Sequence, residues 1–181
     1  TLYRVNAGGV TVIDSNANKW VGDTNSIYWA GTLTHGPGGN SVTPADYVVV
    51  EPHLDSSMQA YSSVFSSERW TSFYQGDVSY AFDVERAGTY EVDILMMETW
   101  RHGKGTRIFD IAVQNDKVFS DVDIYAEAGF QTPLVKTVRV ILDDAGTITV
   151  TFWPRAGKEG PAIYGLEVKM VGGSLPTSVP P

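Results

Sequence analysis

Few residues of this 181-residue chain have the types and spacing that chemistry demands. Glycoside hydrolysis needs two carboxyl groups across a bond, one with a raised pKa. Glu68 and Glu98 stand closest to loop aromatics and define one reading, a small hydrolase or lyase. The competing reading is structural: Glu68 precedes Arg69, and a Glu-Arg pair beside a strand fixes loop geometry through a charge-assisted hydrogen bond. Other templates fail on spacing. Gly103-Lys104 is followed by Gly105 where a phosphate-cradling loop needs Ser or Thr. His35, His53 and His102 are too far apart for the paired histidines of a zinc-protease helix. His35-Gly36-Pro37-Gly38-Gly39 reads as a glycine-rich loop, since no nucleophile elbow accompanies it. Asp14-Ser15-Asn16-Ala17-Asn18 starts like a calcium loop, but Lys19 stands where Gly is needed and Asn25 where a bidentate Glu is needed. Its preferred reading is a turn whose Asp and Asn side chains cap their own backbone. No cofactor is expected, and a structural calcium held elsewhere by carboxylates and carbonyls is left open.

The elements that must position these residues are strands. Val78, Tyr80, Phe82 and Val84 alternate with Ser79, Ala81 and Asp83, and Tyr90, Val92 and Ile94 alternate with Glu91 and Asp93. That is how half-buried strands read. Further strand-like runs are Tyr3 to Ala7, Val10 to Ile13, Tyr47 to Val50, Arg107 to Val113, Val135 to Leu142, Thr147 to Trp153 and Ile163 to Met170. No stretch holds a helical period for three turns. About nine strands parted by Gly, Pro, Asn and Asp clusters predict an all-β fold, an antiparallel β-sandwich of jelly-roll type. Its long loops, Asp14 to Ser26, Gly31 to Ala45, Thr99 to Thr106, Ser120 to Thr132 and Pro154 to Gly160, are where function is expected. Residues 1–171 are expected to form one domain and residues 172–181, rich in Gly, Ser, Thr and Pro, an extended linker to a longer parent chain.

Composition narrows the partners. With 43% hydrophobic and 19% charged residues the chain is an ordinary globular domain, long enough to build a core without its absent Cys. Lys plus Arg at 13 against Asp plus Glu at 21 gives a charge of -8, which repels phosphate backbones and anionic membranes. Neither nucleic acid nor a membrane is an expected partner, and a monomer is. No Asn-x-Ser/Thr sequon occurs, a silence that a bacterial extracellular protein would fit.

Tyr28-Trp29, Trp70, Phe73-Tyr74, Trp100, Tyr125 and Phe130 lie in loops or at strand ends. Singly, such aromatics pin loops to the sandwich. Together they suggest a platform on which the C-H face of a pyranose ring can stack. Six blocks then carry a resemblance: Arg4-Val5-Asn6-Ala7-Gly8-Gly9; Ser67-Glu68-Arg69-Trp70; Gly88-Thr89-Tyr90-Glu91-Val92 followed by Glu98; Arg107-Ile108-Phe109-Asp110-Ile111; Asp123-Ile124; and Pro161-Ala162-Ile163-Tyr164-Gly165-Leu166-Glu167-Val168. In this order, across residues 4 to 168, the chain resembles the malectin family. The resemblance implies a β-sandwich carbohydrate-binding domain, like the bacterial modules of carbohydrate-binding module family 57 that are appended to glycan-degrading enzymes.

The resemblance also implies a site between loop aromatics and an acidic residue near the last strand. Trp70 matches the aromatic after the Glu-Arg pair. Trp100 and Arg101 match an adjacent aromatic pair, with the second ring replaced by a guanidinium. Tyr28 or Trp29 answers to an aromatic of the preceding long loop, and Glu159 keeps the acidic position beside Lys158. Arg101 can stack on a sugar or bind a carboxylate, and His102 adds a donor, so an anionic polysaccharide stays as open as a glucan. The expectation is a non-catalytic carbohydrate-binding module at an extracellular or cell-surface location. Its partners would be a polysaccharide or oligosaccharide, most plausibly a glucan, and a catalytic domain in the same chain. The rival to the hydrolase and to this module is a receptor-type interaction ectodomain, whose mark would be an exposed apolar patch on a sheet face.

Overall fold

The computed structural model describes residues 1–23, 59–71 and 77–172, together with the backbone of Thr34–His35 and Ser41–Pro44. In chain order the strands are β1 (Tyr3–Asn6), β2 (Val12–Ile13), β3 (Lys19–Gly22), β4 (Thr34–His35), β5 (Ser41–Pro44), β6 (Ser67–Trp70) and β7 (Val78–Val84). They continue as β8 (Gly88–Met96), β9 (Phe109–Val113), β10 (Asp116–Val122), β11 (Leu134–Leu142), β12 (Gly146–Pro154), β13 (Ala162–Ile163) and β14 (Gly165–Gly172). A single α-helical turn, α1 (Ile124–Glu127), is capped by Asp123, which accepts the Ala126 N–H at 2.9 Å.

A six-stranded sheet, β11-β8-β14-β1-β3-β2, faces a five-stranded sheet, β10-β9-β12-β7-β4, and β13-β6-β5 forms a small third sheet. The described pairings between strands are antiparallel, except that β1 and β3 run parallel. Alternation does the sorting. Tyr90, Val92, Ile94 and Met96 of β8 and Val5 of β1 meet Tyr80 and Phe82 of β7, Phe109 of β9 and Phe152 of β12 in the main core. The end of β8 is covered on both faces, because Leu95 and Met97 enter a second core with Trp20, Val64, Phe65 and Tyr164. The expected all-β sandwich is therefore present, with almost no helix.

The differences from the sequence reading lie where polar residues face inward. β6 buries Ser67 and Arg69 instead of apolar side chains, so no hydrophobic period marks it. β10, an edge strand with register shifts, buries Val122 alone and runs into the expected loop Ser120 to Thr132. β3, β4 and β5 occupy parts of the expected loops Asp14 to Ser26 and Gly31 to Ala45. The expected strand Tyr47 to Val50 lies outside the described residues, as do residues 173–181 of the expected linker; Gly172 itself pairs with Thr89 as the end of β14.

Two carboxylates hold structure. Asp14 accepts the N–H groups of Asn16 and Asn18, each at 2.9 Å, the Asn18 Nδ2 at 3.0 Å and the Trp20 Nε1 at 2.9 Å. The segment is thus the self-capping turn expected from its Asn and Asp residues, and it pins the fully buried Trp20, whose ring meets Tyr61 edge-on. Asp110 is buried on β9, which by itself raises its pKa, but Lys117, the Asp121 N–H and Arg155 outweigh that and hold the carboxyl below its usual range. Stability from such a group is full above the unfolded value of 3.8 and is lost as pH falls through the folded one. Asp110→Ala should lower stability by about 1–3 kcal/mol at neutral pH, and Trp20→Ala by about 3–5 kcal/mol. Urea denaturation measures both, and that of the Asp110 variant should differ less from wild type as the pH is taken below 3.8.

Candidate functional site

At one end of the sandwich three connections are sewn together: 97–108 between β8 and β9, 123–133 between β10 and β11, and 155–161 between β12 and β13. Glu98 forms a parallel bridge with Phe130, and Arg107 forms one with Glu159. The Gln131 N–H reaches the Glu98 carbonyl at 2.8 Å, and the Glu159 N–H reaches the Thr106 carbonyl at 3.0 Å. The organising group is the Glu98 carboxylate, which is fully buried. Its Oε1 accepts the backbone N–H groups of Trp100 and Arg101, each at 2.9 Å, while its Oε2 accepts Arg107 Nε at 2.6 Å. Arg107 donates its Nη1 to the Gly160 carbonyl, reaching the third connection. Gly160 must lack a side chain, since a Cβ there would sit 1.8 Å from Thr71 Oγ1.

The second anchor lies under β6. Asp23 accepts Arg69 Nε at 2.7 Å, Arg69 Nη2 at 2.8 Å, the Tyr80 hydroxyl at 2.9 Å and the Gly8 N–H at 2.8 Å. Gly8, at φ 71°, packs its backbone onto β6, where a Cβ would lie 1.9 Å from the Glu68 carbonyl oxygen. The sequence reading gave Arg69 to Glu68; its true partner is Asp23. Strand alternation turns Arg69 inward and leaves Glu68 and Trp70 together on the opposite face.

The structure brings together three of the expected site residues. Trp100 is 56% exposed and is the only aromatic exposed to that degree among the described residues. The Arg101 guanidinium lies 5.8 Å from the Trp100 ring centroid and pairs with Glu159. Trp70 is half-buried at the end of β6, in register with Ala162 on one side and Ser41 on the other. His102 turns to Phe130, with ring centroids 3.9 Å apart. Tyr28 and Trp29 lie outside the described residues.

Sequence reasoning missed the group that links the two tryptophan segments. Tyr164 sends its hydroxyl between Thr99 Oγ1, at 3.0 Å, and the Glu68 carboxylate. Burial and the nearby Glu68 charge hold the Tyr164 hydroxyl well above its ordinary pKa. It therefore stays protonated and donates to Glu68, which leaves the Thr99 hydroxyl to donate to Tyr164. Burial also raises the Glu68 carboxyl, against the pull of Arg107 and Tyr164. Glu98, by contrast, has both oxygens occupied and no exposed surface, so it cannot reach a substrate as acid or nucleophile.

A family model for the malectin domain matches residues 1–159. The chain belongs to the malectin family. It is thus a domain of carbohydrate-binding type, and malectin-like domains are non-catalytic binding modules. Receptor-like protein 4 of Arabidopsis thaliana is 23% identical over 146 residues, covering 80% of this chain and 23% of that protein. The ANXUR2 extracellular domain of Arabidopsis thaliana superposes with a TM-score of 0.77 at 18% identity, over 97% of this chain and 49% of that one. A β-glucuronidase of Bacteroides uniformis superposes with a TM-score of 0.66 at 20% identity, over 93% of this chain and 18% of the enzyme. This malectin domain thus spans at most about half the length of these three proteins. The extracellular or cell-surface location expected from sequence agrees with the ectodomain among them, and among the described residues no helix is long and apolar enough to cross a membrane.

Removing one partner of a buried ion pair leaves an uncompensated charge behind. Arg107→Ala, which strips Glu98 of its guanidinium and Gly160 of its donor, should cost about 3–5 kcal/mol of stability in chemical denaturation. Arg101→Ala, whose side chain is over a third exposed, should cost less than about 1 kcal/mol.

Proposed function

We propose that this malectin domain binds a polysaccharide or oligosaccharide of the glucan class without transforming it, and brings an attached catalytic domain to that glycan. The observation that carries the reading is Trp100: a large flat ring 56% exposed to water, on a backbone clamped by Glu98 at two successive N–H groups. An exposed indole on a rigid support is a preorganised stacking surface, and binding to it does not require the loop to be ordered first. Trp70 supplies a second ring, Arg101 a donor backed by the buried Glu159, and His102 a further donor. Tyr28 or Trp29 closes a wall in this proposal, and residues 173–181 serve as the tether. The presence of the same fold as a minor part of a β-glucuronidase supports the arrangement of binding module and enzyme in one chain.

A receptor-type ectodomain is the second reading, favoured by the likeness to ANXUR2 and Receptor-like protein 4. In that case the same platform would receive a protein or peptide, and no glycan would compete. A calorimetric titration with neutral gluco-oligosaccharides of α-1,4, β-1,4 and β-1,3 linkage separates the two. We expect saturable binding to at least one glycan, no release of reducing ends, and a loss of about 2 kcal/mol, roughly thirtyfold in affinity, in Trp100→Ala and in Trp70→Ala with folding intact. Unchanged affinity in both variants would make the two rings loop anchors and place the site elsewhere.

A further inference from the structure

We infer that Glu68 is the carboxylate that reads the sugar's hydroxyls, taking a neutral vicinal diol and rejecting a uronate. The inference rests on the carbohydrate-binding reading and concerns the ligand class of the same site. Its first ground is placement. Glu68 and Trp70 occupy alternate positions on one face of β6, about 7 Å apart along the strand. A hexose stacked on the ring can therefore turn its equatorial edge toward the carboxylate.

The second ground is pairing. The guanidiniums of these three connections already have carboxylates, Arg101 that of Glu159, Arg107 that of Glu98 and Arg155 those of Asp110 and Asp121, while the exposed Lys104 forms no ion pair among the described residues. The Lys158 ammonium is turned to the Gly105 carbonyl at 2.7 Å. No described cation forms an ion pair with Glu68, whose acceptor capacity is met by the Tyr164 hydroxyl alone among described side chains. A carboxylate can accept about four hydrogen bonds. Among the described residues Glu68 is left with lone pairs and no ion pair of its own, since Arg107 attracts it only while bound to Glu98, and this suits adjacent O–H donors and disfavours a second carboxylate. The anionic ligand that Arg101 alone would suggest is disfavoured, because Glu159 already neutralises that guanidinium through Nη2, although the Arg101 Nε has no partner among the described residues.

The third ground is cost. Burial raises the Glu68 carboxyl above its ordinary 4.5, so the folded state holds the proton more tightly than the unfolded chain. For a raised carboxyl, stability is full below the unfolded value and declines as pH rises through the folded one. At neutral pH Glu68 therefore destabilises the fold. A group kept at the expense of stability is characteristic of a binding residue.

The test titrates wild type, Glu68→Gln, Glu68→Ala and Trp100→Ala with neutral gluco-oligosaccharides and with their C6-oxidised uronate forms at pH 7, and melts each protein alongside. We expect Glu68→Gln to hold or raise Tm and to lose about tenfold or more in affinity for the neutral sugar. The preference for the neutral over the oxidised form should shrink in both Glu68 variants and persist in Trp100→Ala. Affinity within twofold of wild type in Glu68→Gln, with Trp100→Ala defective, overturns the role of Glu68 and leaves the carbohydrate reading standing. A fall in Tm together with affinity in Glu68→Gln makes Glu68 structural and overturns it as well. Wild type that binds none of the sugars overturns both proposals.

Discussion

A buried charge must be compensated, and that constraint organises the functional end of this domain. Glu98 has no contact with water, so its two oxygens draw in Arg107 and two successive backbone N–H groups. Arg107 in turn reaches the Gly160 carbonyl, and the third connection is thereby tied to the first. The conformation of 98–101 follows in large part from the demands of one carboxylate. This is how an indole can stand in solvent and still be held. Asp23 plays the matching part beneath β6, where Arg69, Tyr80 and Gly8 converge on it. Remove either carboxylate and a tryptophan segment loses its footing.

Such ion pairs contribute specificity of geometry more than stability, because desolvation offsets much of their attraction. Stability comes from elsewhere: the apolar layer between the two large sheets and the second cluster around Trp20 and Tyr164. The domain thus separates what keeps it folded from what shapes its loops. Tyr164 is the exception that joins them. Its ring packs with Phe65 in the second core, at 5.4 Å between centroids, while its hydroxyl sits among the polar groups of the site. The position of Glu68 is consequently referenced to the core and not to a loop.

The fold was legible in the sequence where apolar residues alternate. β7 and β8 repeat the expected pattern, and β7 has the expected bounds. β6 was legible only as a motif, Ser67-Glu68-Arg69-Trp70, because its inward residues are polar and period-two hydrophobicity does not register a buried serine and arginine. β10 escaped for the reverse reason, as an exposed edge strand whose bulges break the alternation. Trp100, Arg101 and Glu159 were singled out from sequence and lie together, but ion-pair partners were not legible: Glu68 and Arg69 are neighbours in sequence on opposite faces of a strand, and the partner of Arg69 lies 46 positions away. Only the fold brings Asp23 to it.

Asp110 and Glu68 show how the environment divides like side chains. Both carboxyls carry a burial penalty, and both stand on strands close to cations. Asp110 receives Lys117, Arg155 and a backbone N–H, and its pKa falls; Glu68 receives one hydroxyl, Arg107 being committed to Glu98, and its pKa rises. Burial raises Glu68 more than its few donors lower it, whereas at Asp110 the donors outweigh burial. A fully satisfied carboxylate has nothing left to offer a ligand, and its role ends with the fold. An under-supplied carboxylate beside an aromatic face has acceptor capacity remaining, and hydroxyl groups arriving from outside are the donors that would complete it.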